Sequence, residues 1–134
     1  MNLLRMVVLR PLISAMVLLV SMPVFSQSTA NAVFQTDVAD VTNQEILVLE
    51  VNYAAGNDSP VHRHNAHTVV YVLEGSVIMQ VEGGEMQTLG PGDVFYETPS
   101  DIHSVSRNAS DTEPAKVLVF FLKEKDAATT EPAG

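Results

Sequence analysis

The chain of 134 residues contains no cysteine. Disulfides, thiol nucleophiles and zinc–thiolate sites are therefore excluded, and stability must come from burial, helped by a metal or a second copy. Basic residues are scarce as well, seven Lys and Arg against sixteen Asp and Glu. A surface of that sign repels phosphate backbones, so nucleic acid is not an expected partner. Helical periodicity is missing beyond residue 26, and no internal repeat exists beyond a rhythm of short hairpins. Long apolar runs are missing too. The apolar run after Arg10, Pro11 to Val20, is too short to span a hydrocarbon core of roughly 30 Å.

That run has a different meaning. Arg5 and Arg10 precede it, and Ser21, Pro23 and Ser26 follow. Basic, apolar and small-residue regions in that order describe a secretory signal peptide over residues 1–26. Val24 and Ser26 suit cleavage after Ser26, with Ala30-Asn31-Ala32 as a second possible cut. An uncleaved transmembrane anchor is the rival reading. Export implies a periplasmic or secreted protein without a stable membrane anchor after cleavage. Five basic residues then face all sixteen acidic ones, for a net charge of −11 with histidines neutral. What remains suffices for one compact domain.

Residues 27–43 are polar and weakly patterned, an N-terminal arm or a first strand around Ala32–Thr36. Strands are expected at Glu45–Tyr53, Thr68–Glu74, Val77–Glu82, Glu85–Leu89, Val94–Thr98, His103–Asn108 and Lys116–Lys123. Each is β-branched or alternating, and glycine turns separate several of them. Such spacing indicates an all-β sandwich or barrel over residues 44–125. Residues 126–134 are small and polar, expected as a disordered tail. The strand Thr68–Glu74 is apolar on both faces. A second sheet or a second copy of the chain would cover the outer one.

His62-Arg63-His64 enters an extended segment, which puts two imidazoles on one face of the backbone. Gly56-x5-His62-x-His64-x3-Thr68-x6-Gly75 and Gly92-x5-Thr98-x-Ser100-x2-His103-x3-Arg107 have the spacing of a two-part pattern. They resemble the signature of the cupin superfamily, G-x5-H-x-H-x3-E-x6-G followed by G-x5-P-x-G-x2-H-x3-N, over about residues 44–122. The resemblance implies a jelly-roll β-barrel (a double-stranded β-helix), commonly dimeric through a sheet face. It also implies a divalent transition metal (Fe, Cu, Ni, Mn or Zn) held by His62, His64 and His103. Neutral imidazoles suit all of these ions. A metal-free pocket is the alternative.

The family's fourth ligand, a glutamate, is replaced here by Thr68. Three histidines alone can hold the metal, as in the three-histidine oxygenases of the superfamily. Otherwise Glu97 reaches it or serves as a base beside it, or His67 does, although alternation points His67 to the opposite face. Glu97 can equally be a solvated strand-end residue. Arg107, four residues past His103, shares its face if the strand is unbroken, and could clamp a substrate carboxylate. The alternative for Arg107 is a surface pair with Asp111 or Glu113. Met79 and Phe95 line a pocket or fill the core. Tyr96 should sit elsewhere, and Arg63 at the surface.

Two classes of function follow. One is a metal-dependent enzyme, most simply a dioxygenase acting on a small organic substrate, with Glu97 and Arg107 as candidate catalytic residues. The other is a non-catalytic module that binds or senses a metal or small ligand. Isomerase chemistry is a weaker third, for want of a clear acid–base couple.

Overall fold

The computed structural model describes residues 27–133, so the expected signal peptide lies outside the described residues. Ten strands make up the described chain, without helices. They are β1 (Thr29–Asp37), β2 (Gln44–Tyr53), β3 (His62–Arg63), β4 (His67–Glu74), β5 (Val77–Val81), β6 (Gln87–Leu89), β7 (Val94–Glu97), β8 (His103–Asn108), β9 (Ala115–Glu124) and β10 (Glu131–Pro132). One sheet runs β1-β2-β9-β4-β7 and the other β10-β3-β8-β5-β6, every pairing antiparallel. The chain is a jelly-roll barrel of two sheets closed over one core, as the hairpin rhythm implies.

Period-two alternation decides what is buried. On β4, Thr68, Val70 and Val72 point inward, while His67 and Tyr71 are exposed. From β9, Val117, Val119 and Phe121 meet them, and Val77 and Met79 approach from the facing sheet. Burial of each such aliphatic or aromatic side chain contributes about 1.5–3 kcal/mol. Gly75 makes the turn that starts β5. Its φ is +69°, and a Cβ there would lie 2.5 Å from the Pro114 carbonyl oxygen, so only glycine fits.

Two features differ from the sequence expectation. Residues 126–133, within the expected tail, have a defined place against the barrel. After β9 the chain folds back, and β10 pairs with β3 through Glu131 opposite Arg63 and Pro132 opposite His62. Lys123 anchors the turn: its ammonium donates to the Ala127 carbonyl at 2.6 Å and pairs with Glu45, both side chains being buried. A charge buried in this way needs its partner. Composition gave no hint of the fold-back, because the group that accepts from Lys123, the Ala127 carbonyl, is one that every residue possesses.

The second difference is a β-bulge in β8. His103 pairs with Val81 and Val105 with Gln80, so Ser104 is the extra residue, and its hydroxyl donates to the Gln80 carbonyl. A bulge reverses the parity of everything after it. His103, Ser106 and Asn108 therefore face inward, and Arg107 does not.

Candidate metal centre

β3 is only two residues long, yet it sets the site. His62 lies directly opposite His103 of β8 in the ladder. His64 follows Arg63 and returns to the inner face, and Asn65, with φ +48°, then turns the chain away. The three rings gather at the barrel mouth with centroids 4.8, 5.0 and 6.2 Å apart. One ring nitrogen from each lies within 4.8 Å of the others, a spacing that a single ion can bridge.

The hydrogen bonds fix which nitrogens are free. The His62 Nδ1–H donates to the Pro60 carbonyl at 2.7 Å, and the His64 Nδ1–H to the Thr129 carbonyl at 2.6 Å. Carbonyls only accept, so both rings carry the proton on Nδ1 and present a bare Nε2. Metal-binding histidines are ordinarily oriented in this manner. Burial pushes both imidazoles below their ordinary value, which keeps them neutral and able to ligate. Phe95 stacks on His103 at 5.6 Å, and Phe121 meets His64 edge-on at 5.1 Å.

Glu97 completes the cluster. It is 1% exposed, which excludes the solvated reading, and its Oε1 lies 3.0 Å from His103 Nδ1. Its Oε2 lies 3.8 Å from His64 Nε2. The short contact to His103 is out of line for a hydrogen bond, so both carboxylate oxygens and both His103 nitrogens are buried without a partner. Buried polar atoms normally find partners. An unpartnered His103 ring and an unpartnered carboxylate beside the bare Nε2 atoms of His62 and His64 fit a bound cation, which would take up one lone pair from each imidazole. The donor set, neutral nitrogen with an adjacent carboxylate, suits a divalent transition metal.

The remaining candidates fall away from the centre. Thr68 is fully buried on the inner face, its hydroxyl directed to the Ala66 carbonyl. His67 is exposed on the outer face, bonded to the Tyr96 hydroxyl at 2.7 Å, and is no ligand. Arg107 is corrected. The bulge turns it to the opposite face, beside Ile78, where it lines no part of the cavity. Among the described residues it forms no ion pair with Asp111 or Glu113 either. The same extra residue turns Asn108 inward. Asn108 is buried and donates to the carbonyls of Ala54 and Glu113 at 3.1 and 2.8 Å, tying β8 to the loops beside it.

A cavity of about 510 Å³ opens from the three histidines into the barrel. Leu49, Val51, Val70, Met79, Val119 and Phe121 supply apolar wall. Met79 thus lines the pocket, while Phe95 packs behind His103. Sequence reasoning missed three residues here. Tyr53 and Ser106 join hydroxyls at 3.0 Å in the wall, and Thr129 contributes through its backbone. Ser106 would have been legible had the bulge been; Thr129 gave no signal.

Residues 49–121, more than half of the chain, match the family described as cupin domain. No curated protein matches the chain. Among solved structures, the DMSP lyase DddQ from Ruegeria pomeroyi DSS-3 is 20% identical with a TM-score of 0.65. The alignment covers 80% of this chain and 52% of that one, so the chain spans about half the length of that lyase. A cupin-like protein from Thermotoga maritima is 21% identical over 80% of this chain and 76% of that one, with a TM-score of 0.63. The polyketide cyclase RemF from Streptomyces resistomycificus is 19% identical, with coverages of 81% and 72% and a TM-score of 0.59. At these identities the likeness is one of fold.

Proposed function

This chain belongs to the cupin domain family, and we propose that it is a metal-dependent enzyme acting on a small organic substrate in the barrel cavity. His62, His64 and His103 would hold a divalent transition metal (Fe, Cu, Ni, Mn or Zn), with Glu97 beside it. One observation carries the reading: three ring nitrogens within 4.8 Å of one another, next to a buried, unpartnered carboxylate. The bound metal would supply a Lewis acid and, if iron or copper, a redox couple for dioxygen chemistry.

The chain's own residues do the rest. The Pro60 and Thr129 carbonyls hold two imidazoles in one tautomer, so the ligand set is preorganised. Glu97 is the proton acceptor of the site, poised where a substrate bound at the histidines would present an acidic O–H or C–H. Apolar walls limit water in the cavity beside the histidines. The reaction class we propose is oxygenation by a small dioxygenase. A proton-transfer reaction is the second reading, favoured by the burial of Glu97 and by the likeness in fold to a lyase and a cyclase. A barrel that binds metal or ligand without turnover is the non-catalytic alternative.

We also propose that the chain is exported and works as a homodimer. The order of Arg5, Arg10, the apolar run and Ser26 supports export. Tyr71, Tyr96, Phe120 and Leu122 stand 38–52% exposed on the outer face of one sheet, which supports a second copy as its cover. Elemental analysis of the mature, tag-free protein tests the metal, followed by oxygen uptake against diketones, phenols and thiols. Iron or copper with turnover is the expected result. Zinc without turnover would favour the binding module. Cell fractionation and light scattering test export and dimer.

A further inference from the structure

The walls of the cavity carry hydroxyls but no charge. Apart from the three histidines, its polar side chains are Tyr53, Ser59, Ser106, Thr129 and Thr130, and no Lys, Arg, Asp or Glu lines it. Arg107 and Lys123 do not reach it. Arg107 is turned out by the bulge at Ser104, and Lys123 is buried against Glu45 at another part of the barrel. An anionic group placed beyond the histidines would lose its hydration with nothing opposite to replace it. It would also approach through the field of a strongly acidic chain.

Within that neutral lining, one polar feature is built rather than incidental. Tyr53, at the end of β2, and Ser106, on β8 after the bulge, come from different sheets and meet at 3.0 Å. Tyr53 is 7% exposed and Ser106 is 3% exposed. Ser106 lies two rungs along the ladder from His103, opposite Met79 where His103 is opposite Val81, about 7 Å by strand rise. Two hydroxyls bonded to each other consume one of their two protons, so the pair retains one donor and spare lone pairs for a ligand. Burial pushes the Tyr53 phenol above its ordinary value, so it keeps its proton at neutral pH.

We infer that the cavity selects an uncharged, largely apolar molecule of ring size, and that the Tyr53–Ser106 hydroxyl pair reads a neutral hydroxyl or carbonyl oxygen on it. The inference rests on the cavity being the substrate site, and it names the chemical class that the site takes. Tyr53 and Ser106 are then specificity residues, further along the cavity wall than the imidazoles. A carboxylate can be accommodated only by direct ligation of a metal, and nowhere along the wall.

Three probes with one ring system separate these terms: 2-naphthol, naphthalene and 2-naphthoate, titrated at neutral pH by calorimetry or ligand fluorescence. Each is measured on the full chain as purified and after chelator treatment. In the chelated protein, 2-naphthol should bind about tenfold more tightly than naphthalene, the worth of one hydrogen bond. It should also bind at least tenfold more tightly than 2-naphthoate. Tyr53→Phe and Ser106→Ala should each weaken 2-naphthol, since the remaining hydroxyl loses the partner that orients it, and together they should bring it down to the naphthalene level without changing naphthalene itself. Ser106→Ala removes so little volume that it carries the test should Tyr53→Phe fold poorly. Naphthoate binding as well as naphthol without metal, or hydroxyl variants that leave the ranking intact, would overturn the inference. A protein that holds no metal yet ranks the probes as stated would sink the metal-dependent enzyme and leave this selectivity standing.

Discussion

Thr68 of β4 and Glu97 of β7 are direct cross-strand partners, both fully buried, and the carboxylate of Glu97 reaches His103 at 3.0 Å. Cross-strand partners place their Cβ atoms only about 4.5–5.5 Å apart. A carboxylate missing from position 68 is thus supplied one strand over, on the same inner face. What changes is its direction of approach, from the rung beside the histidines rather than from their own segment of chain.

Glu97→Gln keeps the shape and removes the charge. If three imidazoles hold the metal and Glu97 takes the proton, metal stoichiometry should stay at the wild-type value while kcat falls about 10²–10⁴-fold. Metal content and turnover, measured on one preparation, check this. Loss of the metal together with the activity would make Glu97 a ligand instead of a base.

Thr68→Glu should destabilise the fold, because two carboxylates would then share one buried rung. Adding Glu97→Gln should recover most of the loss, since it restores a single carboxylate to the pair. A chemical-denaturation double-mutant cycle should give a coupling of about 1–3 kcal/mol. Additive effects would mean that the two side chains do not face each other.

The tail holds the His64 ring in place, since the Thr129 carbonyl accepts from His64 Nδ1. Deleting residues 129–134 should weaken metal binding about 10–100-fold, the usual cost of losing an outer partner of a ligating histidine. By reciprocity, loading the metal should protect the tail from exopeptidase digestion by a comparable factor. Metal titration of the truncated chain and timed digestion of the intact one measure the two halves of that linkage. His103→Ala provides the contrast. It should lower affinity by more than the truncation does, because it removes a ligand instead of a support.

The alternation of Val70, Val72, Val117 and Val119 and the glycine turns made the two sheets legible from the sequence, because apolar period and turn chemistry are local properties. The spacing of His62, His64 and His103 likewise located the three rings that the fold brings together. Arg107 was misplaced for a physical reason. Counting parity along β8 assumes one residue per rung, and the bulge at Ser104 adds a residue without any glycine or proline to mark it. The fold-back of the tail left no trace in side-chain pattern, since Thr129 acts through a carbonyl that every residue possesses. Tyr53 and Ser106 lie 53 residues apart and meet only once both sheets have closed.

The stability of the metal-free protein should fall on acidification, starting near the ordinary imidazole value. Burial holds His62 and His64 below 6.5 in the folded chain, while the unfolded chain titrates at that value. As pH drops through 6.5, the unfolded state takes up protons first and is favoured, so the stability these neutral rings permit is complete above 6.5 and lost below it. Melting curves of chelator-treated protein between neutral pH and pH 5 should show the decline, and His62→Gln with His64→Gln should flatten it. Glu45 cannot imitate this. Its hydrogen bond from Lys123 holds that carboxylate below its ordinary 4.5, so its contribution persists through the histidine window and disappears only at more acidic pH. Tyr53 is raised above its ordinary 10.0 and is silent throughout. A decline of equal size in the double glutamine variant would assign the acid sensitivity to other groups and remove the support for neutral, ligation-ready imidazoles.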